Sequence, residues 1–560
     1  MALFSAALLG GAYAQDRMWA TYYGGENGAF GRSCAVATDG SVYVSGTTSS
    51  TNNIAMNGHQ NTYGGGGDAF LAKFSADGIR LWATYYGGSG ADQGSSCTVD
   101  LEGNVYLAGS TSSTNDIAAN GLQMTFGGGT PSEGDAFLVK FDAGGTRLWA
   151  TYYGGSGPEL GSFCAVDGLG NVYLTGHAGS DAGISSNGHQ NSRGGQTDAF
   201  LVKFDPDGSR VWGTYYGGDI PDDGWSCAVD AEGNVFLAGT TLSYDDISLN
   251  GHQNTLMSSY AAFLVKFNAN GERLWATYYG GTDQTEGNSC AVDAEGNVYM
   301  VGSTRSSDGI AANGHQNVFG GGTFSDAFLV KFNSSGTRLW GTYYGGGSSE
   351  LGNGWDDGHS CAVDADGNVY LSGQTQSADA IAANGFQNNF GGGGGLQGAP
   401  GDAFLAKFDP NGIRLWGTYY GGPDGDRGYS CAANSDGHVY LVGYTNSAEG
   451  IAEGGHQNTL GGGSDAYLAK FDGSSVGFIE RAALPHAELF PNPTSGQFTL
   501  AMNGTFELSV FDAIGKQVLA NRKVNGTVHT FDIGDVAPGL YTVVLWKEKD
   551  TIQRIPLIKQ

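Results

Sequence analysis

At 560 residues the chain is longer than one ordinary hydrophobic core can organise, so two or more domains are expected. Its 98 glycines follow no three-residue period and 12% of its residues are aromatic, which excludes both a collagen-like rod and a disordered chain. The net charge of −29 sets the surface against nucleic acid phosphates and acidic lipids, and there is no run of about 20 apolar residues to span a membrane.

The chain opens on an apolar stretch over residues 3–12, and Ala12-Tyr13-Ala14 stands before Gln15 in the small-x-small form of a signal-peptidase site. Residues 1–14 therefore read as an export signal. Its basic opening is missing, since no Lys or Arg precedes Arg17.

From there one unit repeats, and the repetition has to be read before any single motif. A segment of the type Trp-(Ala/Gly)-Thr-Tyr-Tyr-Gly-Gly starts at Trp19, Trp82, Trp149, Trp212, Trp275, Trp340 and Trp416. A second segment carries Cys34, Cys97, Cys164, Cys227, Cys290, Cys361 and Cys431, followed by a Val-Tyr-Leu-type run. A third, of the type Asp-Ala-Phe-Leu-Val-Lys-Phe, recurs around Phe70, Phe137, Phe200, Phe263, Phe328, Phe404 and Tyr467. Each unit thus reads as four strands, and turns such as Asp205-Pro206-Asp207-Gly208 supply the glycine that hairpins need. Four-stranded units in radial repetition describe a β-propeller. The expected fold is all-β: a seven-bladed β-propeller over residues 15–473. The alternative, a solenoid, would need atypical capping repeats, and neither end shows one.

The seventh unit reaches Tyr467 and Gly473 with no Trp strand after it, while an orphan copy of that strand stands at residues 17–23. An incomplete last blade would leave an open edge. Pairing residues 18–23 with 466–472 would close the ring.

The repeat unit, with its Gly-Gly-Gly-x-Asp-Ala-Phe segment and its Asn-Gly-His-Gln-Asn loop, resembles the bacterial β-propeller repeat family SBBP over residues 17–473. The resemblance implies a propeller and export, and no particular reaction.

Residues 474–487 break the repeat and open on Ser474-Ser475 directly after Gly473, the composition of a linker. From Glu488 onward there are seven acids and seven bases, so the whole charge imbalance belongs to the propeller. Residues 488–560 alternate in strand fashion and predict a small antiparallel β-sandwich. This tail is similar to the type A sorting domain of the type IX secretion system of Bacteroidota. The matching residues are Pro491, Asn492, Pro493, Thr494, Gly496, Asp512, Gly515, Gly539 and Tyr541. The resemblance implies the type IX machinery as a partner and a secreted or outer-surface location.

Seven cysteines in an exported chain invite disulfides. One per unit at one repeat position cannot pair around a ring, so buried apolar thiols are expected. The loop histidines His59, His189, His252, His315 and His456 diverge around a ring and do not converge as zinc ligands must. Loop packing is their expected role, and no metal site is assigned. Turns such as Asp364-Ala-Asp366-Gly367-Asn368 lack the distal Glu of a calcium loop. No cofactor is expected, with calcium in the glycine-rich loops left open.

Because a binding or catalytic site needs unlike groups, departures from the repeat are the place to look. The sixth unit inserts residues before its cysteine and ends them in Trp355, Asp356, Asp357 and His359; the fourth carries Asp222, Asp223 and Trp225 in the corresponding place. Carboxylates beside tryptophan suit a glycan, whose apolar faces stack on rings while hydroxyls meet acids. The favoured reading is a monomeric binding or adhesion propeller for a surface glycan or protein. The alternative is a glycan-acting hydrolase or lyase with carboxylates on the face of the long loops. That reading needs two carboxylates about 5–9.5 Å apart.

Overall fold

The computed structural model describes residues 16–129, 134–320, 324–347, 354–393, 401–473, 488–490, 494–512, 516–547 and 550–560. The proposed signal (1–14) and linker (474–487) lie outside them. The chain divides into two compact units, residues 1–479 and 480–560. Among the described residues every regular element is a strand, and no helix is long and apolar enough to cross a membrane.

The first unit holds seven four-stranded antiparallel sheets. Six are continuous in sequence, spanning residues 29–86, 92–153, 159–216, 222–279, 285–344 and 356–420. In each the cysteine strand is innermost and the tryptophan strand outermost. Innermost strands of successive sheets touch, and that of the seventh touches that of the first, which makes the unit a β-propeller.

Strands apolar on both faces form these sheets because each is covered by a neighbour on either side. Tyr43, Leu71 and Trp82 of the first sheet pack on Cys97, Leu107 and Val139 of the second, and the pattern recurs at each junction. Burying each such large side chain contributes about 1.5–3 kcal/mol. Tryptophans also tie sheets together: Trp82 Nε1 donates to Ala143 O at 3.0 Å. The indole lies flat on Gly145, whose φ of 86° and lack of a Cβ allow that approach.

The seventh sheet closes as the repeat order requires. Arg17–Tyr23 is its outermost strand, antiparallel to Asp465–Asp472, with Ala20 opposite Ala469 and Tyr22 opposite Tyr467.

Register assigns the two faces of the disc. Thr48 lies opposite Ala29 and Asp68, whereas Val42 lies opposite Val36 and Phe74. The long glycine-rich connections therefore emerge where the innermost strands begin, and the tight turns ending in Gly40 and Gly103 lie at the other face.

Side chains at repeat positions mostly serve this frame. Asp68 accepts from Gly64 N (2.8 Å) and Gln60 Nε2 (3.1 Å), organising the glycine-rich connection. His59 packs on Tyr86 and on Phe141 of the next sheet; burial lowers its pKa, with Arg147 adding to the effect. Asp364 in the calcium-like turn accepts from Asn368 N and pairs with Lys407 Nζ at 3.0 Å, the chemistry of a hairpin braced by an ion pair. All seven cysteines are unpaired and buried.

The second unit is a five-stranded antiparallel arrangement around the long strand Gln497–Asp512. The first part of that strand pairs with Glu488–Phe490 and its last part with Gly539–Lys547, while Gln517–Asp532 runs along its other edge. Phe498, Leu500, Val510, Val543 and Leu557 fill the core of this sandwich-like domain.

Candidate functional site at the axial mouth

The innermost strand of every sheet slips register by one residue, between Gly31 and Ser33 in the first sheet and between Gly428 and Ser430 in the seventh. The same slip occurs in the other five. Such a bulge leaves one residue unpaired and re-aims its side chain. The residues so released are Arg32, Ser95, Ser162, Trp225, Asn288, His359 and Tyr429, and all seven line one cavity of about 480 Å³. It lies near the starts of the innermost strands, at the mouth of the axis on the long-connection face. Glycine precedes each bulge because the sheets crowd there: a Cβ on Gly94 would stand 2.6 Å from Gly46 O of the preceding sheet.

Charge is unequally divided around the mouth. On one side the Arg32 guanidinium sits 4.4 Å from the centre of the Tyr429 ring. Tyr429 stacks on His359 at 5.2 Å, and Arg427 lies over Tyr444 at 5.8 Å. His359 Nδ1 is 2.9 Å from Gly428 O, and burial lowers the pKa of its ring. On the other side Asp223, Glu286 and Asp357 occupy equivalent positions in the fourth, fifth and sixth sheets. Asp223 approaches His177 Nδ1 at 3.1 Å, and His177 meets the Trp225 ring edge-on. Burial raises the pKa of Asp223 and His177 opposes it. Asp357 accepts from Ser325 Oγ and Gln374 Nε2, each at 2.9 Å. Glu286 accepts from Tyr260 Oη at 3.1 Å; burial raises its pKa, and Asp357 adds to the rise.

Of the residues singled out in the sequence, Trp225, Asp357 and His359 line this cavity. Asp223 stands behind Trp225 through His177, and Trp355 lines a smaller adjoining pocket. Asp222 and Asp356 are corrections. Both are fully buried, because they alternate inward while Asp223 and Asp357 turn outward. Asp222 accepts from Gly218 N (2.8 Å), Ser243 Oγ (2.9 Å) and Thr241 Oγ1; Asp356 accepts from Gly346 N, Ser377 Oγ and Thr375 Oγ1. They brace sheet entry, as Asp92 does in the second sheet. Arg32, Glu286, Asn288 and Tyr429 were missed. The signal was present: the residue two before each cysteine varies while its neighbours hardly do.

Residues 488–559 match the family model of the secretion system C-terminal sorting domain, and residues 81–117 and 274–310 match the SBBP β-propeller repeat. The chain carries SBBP propeller repeats and a type IX sorting domain. It is accordingly secreted or held at the outer cell surface. In the sorting domain, Thr494 N donates to Ile558 O and Gln560 N to Thr494 O, tying the opening motif to the final strand. Gly496 N donates to Thr494 Oγ1 at 3.1 Å. Asp512 accepts from Lys516 N. Tyr541, which follows Gly539 in the same strand, bonds Ala537 O through its hydroxyl. Pro491, Asn492, Pro493 and Gly515 lie outside the described residues.

The chain is also similar to "Uncharacterized WD repeat-containing protein L264" of Acanthamoeba polyphaga mimivirus, at 24% identity over 197 residues, covering 30% of this chain and 14% of that protein. It thus spans a small part of that relative's length. Among solved structures, a protein of unknown function from Dyadobacter fermentans DSM 18053 is 11% identical with a TM-score of 0.38, covering 82% of this chain and 100% of its own. The gluconolactonase XC5397 of Xanthomonas campestris is 9% identical with a TM-score of 0.30, covering 66% of this chain and 90% of its own.

Proposed function

We propose that this exported propeller is a binding or adhesion protein whose glycan or protein ligand docks over the axial mouth. One observation carries the reading. A single repeat position turns Arg32, Ser95, Ser162, Trp225, Asn288, His359 and Tyr429 toward one cavity, whereas two residues later cysteine stands every time. A packing position repeats one solution; a recognition surface needs unlike groups, with aromatic bodies and a few aimed polar groups. A screen of the full chain against glycans and surface proteins tests it. Binding should fall in a combined Arg32→Ala, Trp225→Ala and Tyr429→Ala variant of unchanged melting temperature, and binding that survives these changes would overturn the reading.

A glycan-acting hydrolase is the second reading, favoured by Glu286 and Asp357 standing together. A carboxyl with a raised pKa beside a second carboxylate is the arrangement of a general acid and its partner. Release of reducing ends from a bound glycan, abolished by Glu286→Gln, would select it.

A further inference from the structure

A second pocket, of about 90 Å³, lies between the fifth and sixth sheets beside the axial cavity, and Glu286, Ser303 and Asp357 line both. It exists because two units depart from the repeat at the same junction. The fourth unit replaces its glycine-rich segment by Met257-Ser258-Ser259-Tyr260-Ala261. The acid pair found at most junctions becomes Ala261 and Thr285, and Tyr260 Oη reaches across to Gln284 Oε1 and Glu286 Oε1, each at 3.1 Å. The sixth unit supplies Trp355 as the other wall, at the repeat position where the fifth carries Gln284. Arg305, exposed at the rim, stands where the remaining units carry Ser49, Ser112, Gly179, Leu242, Gln376 and Asn446.

Resting on the binding reading above, we infer that this open pocket is a sugar subsite, which takes one face and edge of an uncharged hexose, the rest of the ring standing outside it, in an oligosaccharide whose chain continues into the axial mouth. The half-buried indole of Trp355 offers an apolar wall to the C–H face of a pyranose. The carboxylates are steadied by neutral protein donors, Tyr260 on Glu286 and Ser325 and Gln374 on Asp357. Each carboxylate oxygen has more than one acceptor direction, so sugar hydroxyls can donate to the same groups. Arg305 supplies donors for hydroxyl or ring oxygens. A net charge of −29 carried by the propeller turns away uronate and sulfated chains. The continuity of the two cavities through Glu286 and Asp357 gives the chain its path.

The test is titration of the full protein with short neutral gluco-, manno- and galacto-oligosaccharides, chitosan oligomers and oligogalacturonate, followed by saturation-transfer NMR. A neutral oligosaccharide should bind, Trp355→Ala should weaken it roughly tenfold or more, and Trp355→Phe should restore part of the loss. Arg305→Ala, at an exposed position, should also weaken binding, and it keeps the test intact if Trp355→Ala does not fold. Neutral-sugar binding that ignores Trp355 and Arg305 but falls in Trp225→Ala would overturn the subsite and leave the axial-mouth reading standing. Preference for chitosan or oligogalacturonate would overturn the uncharged specificity. Absence of all sugar binding, with a protein ligand that depends on Trp225, would overturn this inference alone.

Discussion

Thr21 lies opposite Leu468 across the closing ladder, so the first strand of the chain is the outer edge of the last sheet. Trp19, Tyr22 and Tyr23 in that strand are buried, and their polar atoms reach Ala76 O, Ser447 O and Ile54 O. Each aromatic contributes about 1.5–3 kcal/mol by burial alone, against a net stability of about 5–15 kcal/mol for an ordinary domain. Deleting residues 17–23 should therefore lower the melting temperature of the entire propeller and admit protease in every sheet. Cleavage confined to residues 426–472, with the other sheets still protected, would show that the ring tolerates an open end.

Acid should stabilise the propeller. Asp402 and Asp426 face each other around Gly421, and burial pushes them up to about 8 and about 6. Burial likewise pushes Asp222 to about 7 and Asp356 to about 8. Folded pKa values above the unfolded value of about 3.9 mean that the native state holds extra protons. The stabilisation is full below the unfolded pKa and is lost as pH rises through the folded values. The melting temperature should fall between about pH 5 and about pH 8.5, and Asp402→Asn should flatten that slope. A rising melting temperature over the same range would contradict the assignment.

The neighbours Asp222 and Asp223 should separate structure from binding. Asp222→Ala strands Gly218 N and the Thr241 hydroxyl, and leaves Ser243 only Ile220 O to donate to. Each buried unsatisfied group costs about 1–3 kcal/mol, so a large loss in denaturant midpoint is expected. Asp223→Asn keeps its shape beside His177 and should leave the midpoint nearly unchanged while altering ligand affinity. Equal destabilisation by the two changes would argue against the alternation.

The thiols should be silent in the native protein. Burial pushes Cys97 and Cys431 to about 11, and a protonated, inaccessible thiol is a poor nucleophile. A thiol reagent at neutral pH should label none of the seven cysteines until denaturant is added, then all of them. Native-state labelling at any one would mark a local opening of its innermost strand.

Much of the fold is local and was therefore legible. Apolar strands, glycine turns and the misplaced Trp strand at Trp19 each state their role within a few residues. Trp225, Asp357 and His359 were reachable as departures from a repeat. Asp222 and Asp356 were misread because neighbours in a strand face opposite ways, and only the register with Thr241 and Thr375 shows which acid turns inward. Tyr260 and Trp355 come from different units, and nothing in either segment announces that they share a pocket.

The sequence by itself determined the repeat, the four strands of each unit, the strand that closes the ring and the sorting tail, since periodic burial and turn chemistry are written in short segments. Tertiary structure decided the site. Arg32 and Tyr429 stand at opposite ends of the propeller sequence, and each owes its direction to a one-residue slip in its own ladder. They meet with the other five bulge residues only because the ring closes, and closure is a property of all seven sheets together.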